Sequence, residues 1–153
     1  MNNTTLPYTL LTRDNPVLCA YCTWVMVLAL KMMLMSVLTG TFRAKNAAFA
    51  NPEDIPKEGI ELKVDEQVER IRRAHLNDIE NIMPLLTIGF IYVLTNPLPV
   101  VAVNLYRVAG VIRIIHTIIY AIYPIRQPAR AICFFVCYFI TIYMAIMCII
   151  CFF

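Results

Sequence analysis

The residues best placed to do chemistry lie in Val68–Ile82, a densely charged segment that leads directly into an apolar stretch. If a helix begins at Val68, an advance of about 100° per residue places five polar side chains within an arc of about 100°. They are Glu69, Arg70, Arg73, Asn77 and Glu80. Ionisable groups inside a bilayer cost roughly 2.5–3.5 kcal/mol each on insertion scales, so they are usually paired and functional. This face carries both signs of charge and an amide, and it is suited to binding a small zwitterion at membrane depth.

A second polar face is predicted further along the chain. Arg113, His116 and Tyr120 recur at helical spacing, with Tyr106 two turns earlier. A rise of about 1.5 Å per residue places these groups at a similar depth to the charged segment and to Arg130 in the last apolar stretch. We therefore expect a hydrophilic pocket between helices, just inside one face of the membrane.

Some of these polar groups also have a purely structural interpretation. Arg113 and Glu80 have opposite charges and similar predicted depths, so they could form an ion pair without any ligand. His116 alone would fit a hydrogen-bonded packing role. Lys31, half-way along the first apolar segment, is expected to snorkel or to meet a carboxylate from a neighbouring helix.

The composition and the apolar segments indicate an all-α integral membrane protein. Of the 153 residues, 60% are hydrophobic and 15% are charged, whereas soluble domains are about 25% charged. Four apolar segments each reach the roughly 20 residues that a helix needs to cross a bilayer. They run over residues 17–41, 68–95, 99–123 and 128–151. The net charge of +3 and the lack of a basic patch with interleaved aromatics argue against nucleic acid as a partner.

The distribution of basic residues predicts the orientation of these four helices. The long link 42–67 contains Arg43, Lys45, Lys57 and Lys63, whereas the short link 96–99 has no charge. Because basic residues concentrate on the cytoplasmic side, we expect the 42–67 loop to be cytosolic and both termini to be lumenal. The first apolar segment would then act as an uncleaved signal-anchor.

The six cysteines do not predict a metal site. All of them lie in apolar segments, where cysteine behaves as a small hydrophobic residue. No loop clusters them with histidine, as a zinc site requires. We expect neither a metal ion nor a structural disulfide.

Several motifs together resemble the MAPEG family of membrane glutathione enzymes. They are FANPED at Phe49–Asp54, VERIRRAHLNDIENIMP at Val68–Pro84, RIIHTIIY at Arg113–Tyr120 and QPARA at Gln127–Ala131. The resemblance extends from Lys31 to Tyr143, in order. It implies a single domain over residues 1–153, a four-transmembrane-helix bundle assembled as a homotrimer. Glutathione is then the co-substrate, bound between neighbouring subunits, and lipophilic substrates arrive from the membrane lipids.

The resemblance also implies roles for individual residues. The implied glutathione contacts are Arg43, Arg73, Asn77, Glu80, His116 and Tyr120. Guanidinium groups suit the two carboxylates of glutathione, and Glu80 could take its ammonium. Arg130 is the implied catalytic residue, while Arg70 and Arg113 are expected to serve structural ion pairing. The link before Arg130 is one residue longer than the family pattern, which leaves Arg126 as an alternative to Arg130.

Differences within the family favour a glutathione transferase that also reduces lipid hydroperoxides. Leu76 and Ala131 depart from the prostaglandin synthase pattern and agree with the transferase pattern, whereas Ile55 replaces a reactive cysteine that some transferases carry. The expected location is the endoplasmic reticulum membrane, with the mitochondrial outer membrane as a second location and the active site facing the cytosol. The alternatives are a glutathione-dependent prostaglandin E synthase and a non-catalytic lipid-binding family member.

Overall fold

The protein is an all-α bundle in the computed structural model, which describes residues 10–56 and 62–153. Within these two ranges the chain forms helices and no strands, which confirms the predicted fold class. The four long helices are α1 (Pro16–Asn46), α2 (Glu66–Leu94), α3 (Pro99–Thr117) and α4 (Ala129–Phe152). A short 3₁₀ turn, Pro52–Asp54, lies between α1 and α2. Helices α1 and α4 each pack against both α2 and α3, so the four helices occupy the corners of a square.

Helix α1 is longer than the apolar pattern predicts. It continues to Asn46, past the expected end at residue 41, so the predicted loop 42–67 loses its first five residues to the helix. The hydropathy pattern does not predict this last turn because its residues are polar. The turn is nevertheless stable as a helix, because Arg43 and Lys45 in it complement the partial negative charge of a helix C-terminus. The helix ends at Ala47, which adopts a left-handed conformation with φ of 49°.

The third and fourth helices also differ from their predicted boundaries. Helix α3 passes directly into a π-helical turn, Ile118–Ile122, which carries Tyr120. Helix α4 begins at Ala129, so Pro128 precedes the first helical residue instead of occupying that position. π-Helical turns are rare and frequently occur at functional sites.

Asp65 fixes the start of α2 against the end of α1. Its side chain accepts hydrogen bonds from the backbone N–H groups of Val68 and Gln67, each at 3.0 Å, and from Asn46 Nδ2 at 2.9 Å. The bond from Val68, followed by that from Asn46, holds the pKa of Asp65 below its ordinary value. An ionised cap at a helix N-terminus stabilises the first turn, so these bonds set the position of the charged face that follows.

Three of the helices are long and apolar enough to cross a membrane. They are α1, α3 together with its π-helical turn, and α4. Helix α2 is not apolar enough to count as a membrane-crossing candidate, because its first half is charged. Its 29 residues nevertheless pack along α1 and α4. The four helices therefore comprise three apolar spans and one helix that brings charge into the bundle.

Gly110 allows α1 and α3 to approach closely. A Cβ atom at this position would lie 2.0 Å from Cε3 of Trp24, inside van der Waals contact. Replacing Gly110 with alanine is expected to displace the Trp24 ring and to lower stability by about 1–3 kcal/mol, the usual cost of overpacking. Thermal unfolding in detergent, followed by Trp24 fluorescence, measures the effect. Gly40→Ala is the control, because nothing lies within 4 Å of a Cβ there. Equal stability of the two variants would contradict the packing described.

Candidate functional site

A buried ion cluster joins three of the four helices. Asp78 on α2 is fully buried and forms ion pairs with Lys31 on α1 and with Arg113 on α3. Thr117 Oγ1 adds a hydrogen bond to Asp78 Oδ2 at 3.1 Å. Because removal of one partner from such a cluster leaves an uncompensated charge in an apolar interior, these contacts constrain how the helices pack.

The cluster corrects the expected ion pair between Arg113 and Glu80. Two residues along a helix correspond to a rotation of about 200°, so Asp78 faces the bundle interior while Glu80 is exposed. Arg113 therefore pairs with Asp78, and it also donates to Asn77 Oδ1 at 3.1 Å. Lys31 meets a carboxylate from a neighbouring helix, which confirms one of the two outcomes expected for it.

Asp78 is a central residue that was not predicted from the sequence, although its position on α2 carries a usable signal. Asp78 falls in register with the buried apolar residues of α2, namely Ile71, Ala74, Ile82 and Leu85. A carboxylate on the apolar side of an amphipathic helix requires a partner from another helix. Lys31 was predicted half-way along the first apolar segment and Arg113 on the polar face of the third, so the sequence contained enough information to predict the three-residue cluster.

A second group of predicted site residues lies around Tyr120. The Arg130 guanidinium carbon lies 4.6 Å from the centre of the Tyr120 ring, a cation–π distance. The His116 ring packs edge-on against the same tyrosine, with ring centroids 5.6 Å apart. The π-helical turn positions Tyr120 between these two side chains. Arg130 Nε and His116 Nδ1 are both buried without a hydrogen-bond partner among the described residues, so each retains an unused hydrogen-bonding atom.

The first two turns of α2 keep their charges near the surface. Arg73 Nη2 donates to Glu66 Oε1 at 2.6 Å, and the Arg73 side chain is 48% exposed. Tyr120 lies near Arg73, which places this arginine beside the group of residues around that tyrosine. Arg70 is half-buried and forms no ion pair within the described part of the chain, so its structural role stays a prediction.

Two of the predicted glutathione contacts lie apart from Tyr120. Arg43 lines a cavity of about 360 Å³ between the end of α1 and the start of α2, with Asp65, Glu69 and Arg72 among its other walls. Glu80 is exposed and lines a groove of about 220 Å³ between α2 and α4. The fold thus brings together Arg73, His116, Tyr120 and Arg130, and leaves Arg43 and Glu80 on other surfaces.

The geometry also distinguishes between the two arginines near the start of α4. Arg126 is exposed in the link before the helix, whereas Arg130 is half-buried over the Tyr120 ring in the first turn of α4. The first turn of a helix has free backbone N–H groups and a partial positive charge, and both favour an anion. Arg130 therefore lies in the more suitable electrostatic environment for a thiolate.

Comparisons with known proteins agree with these features. The model of the MAPEG family matches residues 21–150. The chain is 44% identical over 138 residues to microsomal glutathione S-transferase 1 of Homo sapiens, a match that covers 86% of this chain and 88% of that protein. The same enzyme of Mus musculus is also 44% identical over 138 residues. Prostaglandin E synthase of Homo sapiens is 37% identical over 129 residues, with 83% and 84% of the two chains covered.

Proposed function

The chain belongs to the MAPEG family, and from this premise we propose that it is a membrane-bound glutathione transferase with glutathione peroxidase activity. Its substrates are glutathione from the aqueous phase and lipophilic electrophiles or lipid hydroperoxides from the bilayer. The transferase assignment is supported by the name of the 44%-identical relatives and by the length over which they match. Prostaglandin E synthase is the more distant match, and Leu76 and Ala131 favour the transferase over it.

The reaction depends on a glutathione thiolate. Because the thiolate and not the thiol is the nucleophile, a cation near the sulfur raises the reactive fraction at neutral pH. In the transferase reaction the sulfur bonds to an electrophilic carbon and the leaving group departs with its electron pair. In the peroxidase reaction the sulfur attacks a peroxide oxygen, and the products are an alcohol and a glutathione sulfenic acid. A second glutathione then converts the sulfenic acid to glutathione disulfide and water.

The observation that carries the proposal is the placement of Arg130 over Tyr120, beside His116. The guanidinium of Arg130 stabilises the thiolate, since a nearby cation is more effective where water is scarce. The Tyr120 ring and the start of α4 hold that guanidinium in position. Arg73 and Asn77 of α2 are proposed to bind the glutathione carboxyl and amide groups.

We propose that the complete site forms between subunits of a homotrimer. Glu80 is exposed in an apolar groove and Arg43 faces a separate cavity, so a neighbouring subunit is needed to bring them to a shared ligand. Arg70, without an ion-pair partner in its own subunit, is proposed to pair across the same interface. Cross-linking of the purified protein should yield a trimer, and a monomer that binds glutathione fully would contradict this arrangement.

The proposed location is the endoplasmic reticulum membrane, with the site facing the cytosol. The basic residues in the last turn of α1, in the first two turns of α2 and in the link before α4 lie at one end of the bundle, the end that the positive-inside rule assigns to the cytosol. A cysteine introduced at Arg126 should therefore react with a membrane-impermeant thiol reagent in sealed microsomes that lack other reactive cysteines. Labelling only after permeabilisation would reverse the orientation.

Glutathione affinity is expected to depend on Glu80 and Arg73. Glu80→Gln keeps the side-chain size and removes the charge proposed to meet the ammonium, while Arg73→Ala removes a carboxylate partner. Each should weaken binding by about 1–3 kcal/mol, the usual penalty for an unpaired polar group. Calorimetric titration with glutathione measures the effect, and Arg107→Ala is the matched control because Arg107 is exposed on α3 and contacts only Asn104 of the same helix among the described residues. Unchanged affinity in correctly assembled Glu80→Gln would refute the zwitterion site.

A direct assay separates the proposed function from its alternatives. The purified protein is supplied with glutathione and, in turn, 1-chloro-2,4-dinitrobenzene, a lipid hydroperoxide and a prostaglandin endoperoxide. We expect turnover of the first two substrates. Turnover of the endoperoxide alone would identify an isomerase, and no turnover of any substrate would indicate a non-catalytic family member.

A further inference from the structure

Arg113 on α3 connects the buried ion cluster to the surface of α2. Its Nη2 atom pairs with Asp78 and also donates a hydrogen bond to Asn77 Oδ1 at 3.1 Å. The backbone oxygen of Asn77 accepts a further hydrogen bond from the same nitrogen at 3.3 Å. Arg113 is fully buried, so it does not reach a ligand at the surface. Any effect of Arg113 on such a ligand therefore passes through the residue that it holds.

The contact with Arg113 fixes the orientation of the Asn77 carboxamide. A guanidinium group donates hydrogen bonds and accepts none, so the carboxamide atom that faces it is the oxygen. The amide nitrogen of the same group then points away from Arg113. Asn77 is half-buried, and its Nδ2 atom forms no hydrogen bond within residues 10–56 and 62–153. The result is an N–H donor directed away from the bundle interior.

Arg73 provides a second donor beside this one. Residues four apart on a helix are neighbours on its surface, with Cβ atoms about 5–6 Å apart, so Arg73 and Asn77 lie on the same side of α2. The Arg73 side chain is 48% exposed, and Tyr120 lies near it. The guanidinium of Arg73 and the N–H of Asn77 are therefore placed to donate to one acceptor group, for which a carboxylate is best suited.

We propose that Arg113 is a positioning residue for the glutathione site. It holds Asn77 Oδ1 and thereby keeps the Asn77 N–H directed at the ligand, where this N–H and Arg73 together bind a carboxylate of glutathione. An ammonium group has no acceptor atom, so the same orientation excludes it from this position and leaves it to Glu80. The inference rests on the proposed function, because it takes glutathione as the ligand.

Removal of Arg113 leaves a balanced ion pair in the interior. Lys31 also pairs with Asp78, so Arg113→Met retains one cation against one carboxylate, and we expect the variant to fold. Its Asn77 carboxamide loses the donor that orients it. Calorimetric titration should show that glutathione binds about tenfold more weakly, whereas kcat at saturating glutathione should be retained because no group near the sulfur has changed.

Thr117→Val is the matched control for this substitution. It removes a different hydrogen bond to Asp78 and leaves the contact between Arg113 and Asn77 in place. Glutathione affinity should therefore stay at the wild-type value in this variant. A loss of affinity in Thr117→Val as large as that in Arg113→Met would show that any disturbance of the ion cluster weakens binding, and it would overturn the positioning role.

A double-mutant cycle separates positioning from a general structural effect. Asn77→Ala removes the proposed donor and should weaken glutathione binding about tenfold. If Arg113 acts through Asn77, adding Arg113→Met to Asn77→Ala should cause no further loss of affinity. A second tenfold loss in the double variant would show that Arg113 acts independently of Asn77, which contradicts the proposal.

Asn77→Asp tests the orientation while Arg113 stays in place. Aspartate keeps an oxygen for Arg113 and replaces the outward N–H with a second carboxylate oxygen. Its charge also offsets the surplus cation of the cluster, so the thermal unfolding midpoint should not fall. Glutathione affinity should nevertheless decrease at least about tenfold. Undiminished affinity would show that the oxygen faces the ligand, and this result would overturn the proposal even if Arg113→Met fails to fold.

The wild-type titration distinguishes a failure of this inference from a failure of the proposed function. No binding of glutathione by the wild-type protein would overturn both. Binding by the wild-type protein, with the same affinity in Arg113→Met and Asn77→Asp, would overturn the positioning role of Arg113 alone and leave the proposed transferase function standing.

Discussion

Replacing Asp78 with asparagine is expected to destabilise the bundle more than any other single polar substitution discussed above. The variant removes the one carboxylate that faces both Lys31 and Arg113, and it leaves two cations in an apolar interior. Breaking a buried ion pair in this way typically costs about 3–5 kcal/mol. The thermal unfolding midpoint in detergent and the yield of assembled protein both measure the loss.

Two further variants show whether the loss comes from unpaired charge. Glu69→Gln removes a carboxylate of the same helix that pairs with Arg72 at the surface, and it should cost less than about 1 kcal/mol. Adding Lys31→Met to Asp78→Asn removes one of the two unpaired cations and should restore part of the lost stability, a coupling that a double-mutant cycle quantifies. An Asp78→Asn protein as stable as Glu69→Gln would contradict the central position of this carboxylate.

Replacing Arg130 with leucine is expected to reduce turnover strongly while the protein still binds glutathione. Leucine preserves much of the apolar volume over Tyr120 and removes the cation. Loss of one preorganised group that stabilises a developing or bound anion commonly costs 10²–10³-fold in kcat, so we expect a decrease of about that size. Steady-state kinetics with 1-chloro-2,4-dinitrobenzene at saturating glutathione measure it, and calorimetric titration reports glutathione binding.

The neighbouring arginine supplies the control for this substitution. Arg126 is exposed in the link, so Arg126→Leu should retain most of the activity. Arg130→Lys keeps the charge but not the planar stacking on Tyr120, and we expect an intermediate rate. If Arg126→Leu abolishes turnover and Arg130→Leu does not, the longer link has shifted the catalytic role to Arg126.

The apolar segments of the sequence predicted the four helices but not their ends. Hydropathy detects hydrocarbon-length segments, and for that reason it located α1, α3 and α4. It does not detect a polar last turn such as Arg43–Asn46, which extends α1 past the apolar region. The π-helical turn Ile118–Ile122 was also beyond prediction, because a change from an α-helical to a π-helical hydrogen-bond pattern leaves no mark in the apolar pattern.

The sequence predicted which residues form the candidate site, but only some of the contacts between them. Helical spacing placed His116 and Tyr120 on one face, and in the structure they are in contact. The predicted pairing of Arg113 with Glu80 considered only their depth in the membrane. Asp78 is the actual partner because its angular position on α2 directs it into the bundle interior. Contacts such as those proposed for Arg43 and Glu80 depend on a neighbouring subunit, and no spacing within one chain specifies which surfaces of two copies meet.

The role of Arg130 as the group that stabilises the glutathione thiolate is tested most directly by the pKa of bound glutathione. The ultraviolet absorbance of the thiolate is titrated with pH for the wild-type protein, Arg130→Leu and Arg126→Leu, each saturated with glutathione. If Arg130 stabilises the anion, the wild-type and Arg126→Leu proteins should hold the thiol pKa below that of free glutathione, and the Arg130→Leu protein should shift it upward by at least about one pH unit, equivalent to about 1.4 kcal/mol. The same thiolate titration in the wild-type and Arg130→Leu proteins would contradict this role.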